Sequence, residues 1–259
     1  GSAMLDDMEA SKDAIDINLN YKSWLPAYIK ESIYSDTNRG YVEFNETDLS
    51  ANIGHKTVLA DKEENQKSMY LEYDLTNDQS NPDFYDTWFA VRTIIARDGI
   101  DTTKKKYLEF WMNGADSFYV TFDIGKINED IDGDGLLDQE DGLYVNGVPT
   151  DKNLIDGKTN KTPDEDIGLF YNTGSDTKTI GAANGKLDSE DMNDNGKLDQ
   201  TEAFFRYANL TEINNIALMD TSVGKVIDGK EYKFYRINLD KFTENRGNAN
   251  RNNIKHIRI

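Results

Sequence analysis

The sequence predicts an all-β protein, two packed antiparallel sheets interrupted by one long, loop-rich insertion. Two observations carry this. Segments of period-two alternation, apolar on one face, fill residues 5–125 and return over 203–259. Between them, residues 126–202 are polar and rich in Asp, Asn and Gly, with 19 acidic residues against seven lysines, so twelve of the 19 net negative charges fall there. Short strands with one apolar face each pack as a two-sheet sandwich. The expected organisation is a β-sandwich domain formed by 5–125 and 203–259, with 126–202 as an acidic insertion. Residues 1–4, Gly-Ser-Ala-Met, read as a cloning scar outside the fold.

The individual strands follow from their alternation. Met69, Leu71, Tyr73 and Leu75 share one face, opposite Tyr70, Glu72 and Asp74. Phe89, Val91, Thr93 and Ile95 share another, opposite Trp88, Ala90, Arg92 and Ile94. Leu108, Phe110 and Met112 alternate with Tyr107, Glu109 and Trp111. Phe118, Val120, Phe122 and Ile124 alternate with Tyr119, Thr121 and Asp123. Asn113-Gly114 is a turn signal that would join these last two as a hairpin. Near the end Tyr235, Ile237 and Leu239 form one apolar face and Ile257 and Ile259 another, with His256 and Arg258 read as solvent-facing. A helical turn is expected around Ser23 to Ile33.

Composition excludes several classes of function. With 48 acidic and 29 basic residues, nucleic acid and anionic membrane are disfavoured partners, because both are bound through basic patches. No run approaches the ~18 apolar residues of a membrane span, and no signal peptide is visible. There is no cysteine, hence no disulfide or thiolate metal site, and two histidines are too few for a His-rich zinc site.

The acidic insertion has a more specific pattern. Asp130, Asp132, Asp134, Asp138 and Asp141 occupy positions 1, 3, 5, 9 and 12 of a loop, with Gly135 at 6 and the carbonyl of Leu136 at 7. Alternate residues of such a loop point inward, giving the six to eight oxygens that a hard cation takes. A second loop repeats it with Asp191, Asn193, Asn195, Gly196, Lys197, Asp199 and Glu202, fitting the EF-hand loop pattern at every position, with Glu202 as a bidentate ligand. A half-loop lies between them, with Asn184, the carbonyl of Lys186 and Asp188 as donors and Asp191 as its last residue. Magnesium fits less well, since it keeps its waters and takes fewer protein ligands. Ca2+ is the expected cofactor, and several uncompensated carboxylates per loop predict that the insertion orders only around it. Ala203-Phe204-Phe205 reads as the start of a helix leaving the second loop. Asp164, Glu165 and Asp166 are a further acidic cluster without a diagnostic spacing.

These overlapping loops resemble dockerin modules and thrombospondin type-3 repeats, where Asp-rich loops stand in tandem. No pair of complete, evenly spaced dockerin repeats is present, so docking to a cohesin is not implied. The flanking segments Leu5-Asp6-Asp7-Met8-Glu9, Lys106-Tyr-Leu-Glu-Phe-Trp111 and Asn253-Ile-Lys-His-Ile-Arg-Ile259 resemble the first, central and closing strands of galactose-binding-like jelly-roll carbohydrate-binding modules. That resemblance implies a jelly-roll sandwich, a glycan or polysaccharide partner, and a structural calcium near Asp7 and Glu9. The run from Glu109 through Phe122-Asp-Ile-Gly125 to Asp130, then Asn146-Gly-Val-Pro149, resembles repeats of the Bacteroidetes gliding and secretion translocon protein. It implies a large bacterial cell-envelope protein with further domains.

Glycan binding needs flat aromatic faces beside polar groups on an open surface. The alternation places Trp88, Trp111, Tyr119, Arg92, Glu109 and Glu72 opposite the apolar stripes, with Trp111 and Tyr119 as neighbours if the hairpin forms. Such residues could equally make a second small core beneath the insertion. No nucleophile triad, metalloprotease motif or phosphate loop is present, and no catalytic role is expected. Two functions remain open, a non-catalytic carbohydrate-binding module and a calcium-rigidified adhesion domain with a protein partner. Either belongs outside the cytosol, at extracellular calcium.

Overall fold

The structure is a computed structural model that describes residues 3–6, 14–29, 41–49, 66–74, 88–113, 119–131, 133, 135–140, 144–145, 148–149, 169–173, 176–180, 188–212 and 224–259. Among these residues the chain is all-β, with no α-helix. In chain order the strands are β1 (Ala3–Asp6), β2 (Ile15–Ile17), β3 (Trp24–Pro26), β4 (Tyr41–Leu49), β5 (Gln66–Asp74) and β6 (Val91–Ile94). Next come β7 (Tyr107–Met112), β8 (Tyr119–Lys126), β9 (Tyr144–Val145), β10 (Val148–Pro149), β11 (Leu169–Thr173) and β12 (Asp176–Ile180). The last are β13 (Ala203–Glu212), β14 (Gly224–Ile227), β15 (Lys230–Asn238), β16 (Glu244–Arg246) and β17 (His256–Arg258).

Two antiparallel sheets make the sandwich. The first runs β14-β15-β7-β1-β2 and the second β16-β13-β8-β17-β6-β3. Three two-stranded ladders, β4-β5, β9-β10 and β11-β12, complete the described strands. Period-two alternation sorts the side chains as the sequence predicts. Leu108, Tyr235 and Ile237 of the first sheet meet Val91, Phe122, Ile124 and Ile257 of the second in one apolar core. The rings of Phe110 and Phe122 touch across the layers at 5.4 Å between centroids. Met69 and Leu71 of β5 pack against the same core.

Four local expectations change. The strand at 107–112 and the strand at 119–126 do not form a hairpin. β7 pairs with β1 and β15, whereas β8 pairs with β13 and β17, so the chain crosses from one sheet to the other between them. Gly114 lies outside the described residues. The first strand begins at Ala3, within the stretch read as a cloning scar, with Ala3 opposite Phe110 and Met4 opposite Glu109. As far as residue 29, the segment from Ser23 is not helical beyond a single 3-10 turn over Tyr21–Ser23, capped by the Asn20 side chain, after which Trp24 enters β3 and the core; residues 30–33 of that expectation lie outside the described residues. Ala203-Phe-Phe does not start a helix but opens β13. Its alternation turns Phe205 and Tyr207 to the core, while Phe204 and Arg206 pair with Gly125 and Asp123 of β8.

That last pairing locates the insertion. Lys126 and Ala203 are register partners on adjacent strands, so residues 127–202 are one excursion out of and back into the same edge of the β8–β13 ladder.

Candidate metal centre

The outer face of the second sheet is the floor of the site. One cross-strand row reads Arg206 on β13, Asp123 on β8, Arg258 on β17, Arg92 on β6 and Leu25 on β3. All five are buried. Asp123 accepts from Arg206 Nε at 2.7 Å and Nη2 at 2.9 Å on one side, and from Arg258 Nε at 2.9 Å on the other. Three guanidinium groups face one carboxylate in this row, and two of them, Arg258 and Arg92, stand directly opposite each other. Like charges so placed repel, and a buried charge requires a partner. The insertion supplies them. Glu202 takes Arg258 Nη1 at 3.0 Å, and Arg92 donates to the main-chain carbonyls of Asn128 and Glu129. Burial pushes the Arg92 guanidinium down to about 10, against the raising influence of Glu190 and Glu129, so it stays cationic at neutral pH. His256 and Arg258, expected to face solvent, are each only 2 % exposed because the insertion lies over them.

Over this floor the two predicted loops pair with each other through a repeated device. The Glu129 N–H donates to the Asp199 carbonyl at 2.9 Å, and the Asp199 N–H returns to the Glu129 carboxylate at 3.0 Å. Glu190 does the same with Asp138, at 3.0 and 2.8 Å. Glu140 does the same with Asp188, at 3.0 and 2.5 Å. Between the rungs Glu129–Asp199 and Glu190–Asp138, each chain bulges out as one Asp-rich loop. Among the described residues the two loops correspond position by position. Their second positions, Ile131 and Met192, pack together over Leu25. Their first aspartates cap their own loops: Asp130 accepts from the N–H of Gly133 at 2.5 Å and Gly135 at 3.0 Å, and Asp191 from Asn195 at 3.0 Å and Gly196 at 2.6 Å. Gly133 is doubly required, since its φ is +83° and a Cβ would stand 3.0 Å from the Tyr28 ring.

Sequence reasoning singled out the loop positions and missed the three glutamates that join them. Their signal was present: each precedes an aspartate, as Glu129-Asp130, Glu140-Asp141 and Glu190-Asp191. Burial raises the carboxyl of Glu129, and pushes that of Glu190 up to about 8 although Ile131 and Asp138 donate N–H groups to it.

Of the predicted ligands, Asp130, Asp138, Asp188, Asp191 and Asn193 are buried, Asp199 and Glu202 half-buried, and Leu136, Asn195 and Lys197 exposed. Asn193 and Asn195 both direct their amides to the Asp199 carboxylate, at 2.8 and 3.0 Å. Glu202, expected to be the bidentate closing ligand, accepts from Arg258 and from the Asn128 N–H at 3.0 Å. Asp132, Asp134, Asp141, Asn184 and Lys186 lie outside the described residues, as do Asp7, Glu9 and the cluster Asp164–Asp166. Among the described residues no three carboxylate or imidazole groups make a metal-sized cluster.

The donor set nonetheless fits a hard cation. In the described parts of 129–140 and 188–191, Glu129, Asp130, Asp138, Glu140, Asp188, Glu190 and Asp191 are all buried. Buried carboxylates are paired or coordinate metals.

The residues proposed for a sugar face do not converge. Trp111 and Glu109 lie on the outer face of the first sheet, where Trp111 is 5 % exposed and packs with Ile227, Tyr232 and Phe234. Glu109 pairs with Arg236. Trp88 is buried with Ala27, Ile29 and Ala90. Arg92 belongs to the charged row on the other sheet. Tyr119 stands opposite Glu212 and Glu72 opposite Glu43, with side chains outside the description. Among the described residues, the β14–β15 hairpin packs over Trp111 through Ile227, Tyr232 and Phe234.

His256 adds a pH dependence. Its Nδ1 accepts the Ile127 N–H at 3.2 Å, which puts the proton on Nε2, a buried atom with no hydrogen-bond partner among the described residues. Burial, then the nearby Arg92 and Lys255, push the imidazole down to about 3, with Asp199 opposing. The unfolded chain binds this proton below its ordinary value of 6.5, so stability falls as pH drops from about 6.5 towards 3. Between pH 7 and 4.5 the loss from this group is about 3 kcal/mol. His256→Asn, which keeps an acceptor for Ile127, should flatten the acid limb of urea midpoints by that amount; an unaltered limb would refute the assignment.

Comparison with protein-family models gives no match, and no curated protein is similar to the chain.

Proposed function

We propose that this chain is a non-catalytic, calcium-ordered structural domain of a secreted or cell-surface bacterial protein, with another protein as its partner. The observation that carries the reading is the pairing of two Asp-rich loops, with Asp130, Asp138 and Asp191 buried, over a row of arginines on the second sheet. Asp130, Asp132, Asp134, the Leu136 carbonyl, Asp138 and Asp141 would hold one Ca2+. Asp191, Asn193, Asn195, the Lys197 carbonyl, Asp199 and Glu202 would hold a second, and Asn184, Lys186 and Asp188 belong to a further half-loop. The ion supplies charge that the buried acids lack, and the paired loops let each filled site hold the other in shape. Millimolar extracellular calcium would fill even weak loops of this type, which supports a place outside the cytosol. No helix among the described residues is long and apolar enough to cross a membrane.

Titration calorimetry of the chelator-treated protein with Ca2+ tests the proposal. Binding of about two ions, with Mg2+ much weaker, is the expected result; absence of calcium heat together with an ion-free protein by elemental analysis would sink it.

Carbohydrate binding, suggested by the resemblance to galactose-binding-like modules, gets less support because Trp88 and Trp111 are packed away. Trp111→Ala should therefore act on the fold, lowering stability by about 3 kcal/mol through the lost packing. A glycan-array signal abolished by this substitution in a still-folded protein would restore the sugar reading.

A further inference from the structure

Arg92 is 0 % exposed and sits on β6 of the sandwich, far in sequence from the loops. Its two Nη groups donate to the carbonyls of Asn128 and Glu129, the two residues immediately before the first loop. Each of these passes the contact on. The Asn128 side chain accepts the Asp130 N–H at 3.1 Å, orienting the first residue of loop one. The Glu129 carboxylate holds the Asn193 amide at 2.9 Å and the Asp199 N–H at 3.0 Å, positions 3 and 9 of loop two. One guanidinium thus stands one residue away from donors of both loops. A planar fork is suited to gripping two consecutive carbonyls at once, whereas an ammonium is a point donor.

We propose that Arg92 is the positioning residue for both calcium loops, so that the ion affinity of the insertion is set from within the sandwich. This rests on the calcium reading above. Arg92 touches no ion; it fixes the Asn128–Glu129 main chain from which Asp130, Asn193 and Asp199 are aimed. Its positive charge alone would weaken calcium binding, so a loss of affinity on its removal has the sign of lost positioning and not of electrostatics.

The test uses the full chain, calcium calorimetry, and Tb3+ luminescence lifetimes in H2O and D2O, which count waters on the bound ion. The variants are Arg92→Met, Arg92→Lys and Arg251→Met. Arg251 is a control of the same chemistry elsewhere: it donates to the Thr102 and Lys105 carbonyls at 2.8 and 2.6 Å. The expected result is an affinity at least tenfold lower for both loops in Arg92→Met, extra water on Tb3+, a smaller loss in Arg92→Lys, and wild-type values in Arg251→Met. Should Arg92→Met not fold, Arg92→Lys decides alone. Wild-type affinity and hydration in the Arg92 variants, or an equal loss in Arg251→Met, overturns the inference and leaves the calcium reading standing. A wild-type protein that binds neither Ca2+ nor Tb3+ overturns both.

Discussion

Removing calcium should lower the thermal unfolding midpoint by about 10–20 °C. An ion that binds only the folded state contributes about 2.7 kcal/mol when its concentration is a hundredfold above Kd. For a chain of this size each kcal/mol moves the midpoint by about 2–4 °C, and two filled loops add. The loss should be local before it is global. Glu129, Asp138, Glu140, Asp188, Glu190 and Asp199 donate the main-chain N–H groups of the three rungs, and their hydrogen exchange should accelerate in chelator before that of Ile124 or Ile257 in the core. Scanning calorimetry and exchange with and without chelator measure both effects. Equal midpoints, or rung protection that ignores calcium, would contradict the proposal.

How far the sequence carried this picture depends on which physical signal each feature leaves. The strand faces were legible because burial on one side writes a period of two, and Val120, Phe122 and Ile124 all reach the core as read. Pairing was not legible. Asn113-Gly114 is a sound local turn signal, yet β7 and β8 go to different sheets because β7 is flanked by β1 and β15 and β8 by β13 and β17. The helix expected after Glu202 came from the EF-hand pattern, and the alternation of Phe204, Phe205, Arg206 and Tyr207 overrode it. The polar positions misled in another way. Arg92, His256 and Arg258 carry the polar half of an alternating pattern, which looks the same whether water or an acidic insertion covers it. Only the cross-strand register reveals the excess of positive charge that calls for the glutamates. The loops themselves were readable in spacing, but the Glu-Asp dipeptides that pair them needed the fold to give them meaning.

Arg258→Met should destabilise the protein by about 3–5 kcal/mol, the usual cost of breaking a buried ion pair by removing one partner. Arg258 is the junction of the charged row. It donates Nε to Asp123 at 2.9 Å, Nη1 to the Tyr28 carbonyl at 3.1 Å and Nη1 to Glu202 at 3.0 Å, and its guanidinium stands 4.9 Å from the Phe204 ring centroid. Methionine fills much of the volume but satisfies none of these acceptors. Asp123 keeps Arg206, so the uncompensated group is chiefly Glu202, at the point where the insertion rejoins β13. Glu202→Gln should then relieve part of the damage: the double variant is expected to be less destabilised than the sum of the singles by at least about 1 kcal/mol, as contacting residues are. Urea unfolding of the four proteins in chelator isolates this pair from any ion, and repeating it in calcium tests the proposed second role of Glu202: if it is a ligand of the second loop, Glu202→Gln should also lower calcium affinity. A change within about 0.5 kcal/mol for Arg258→Met would place it among ordinary surface substitutions and remove the charged row as the seat of the insertion.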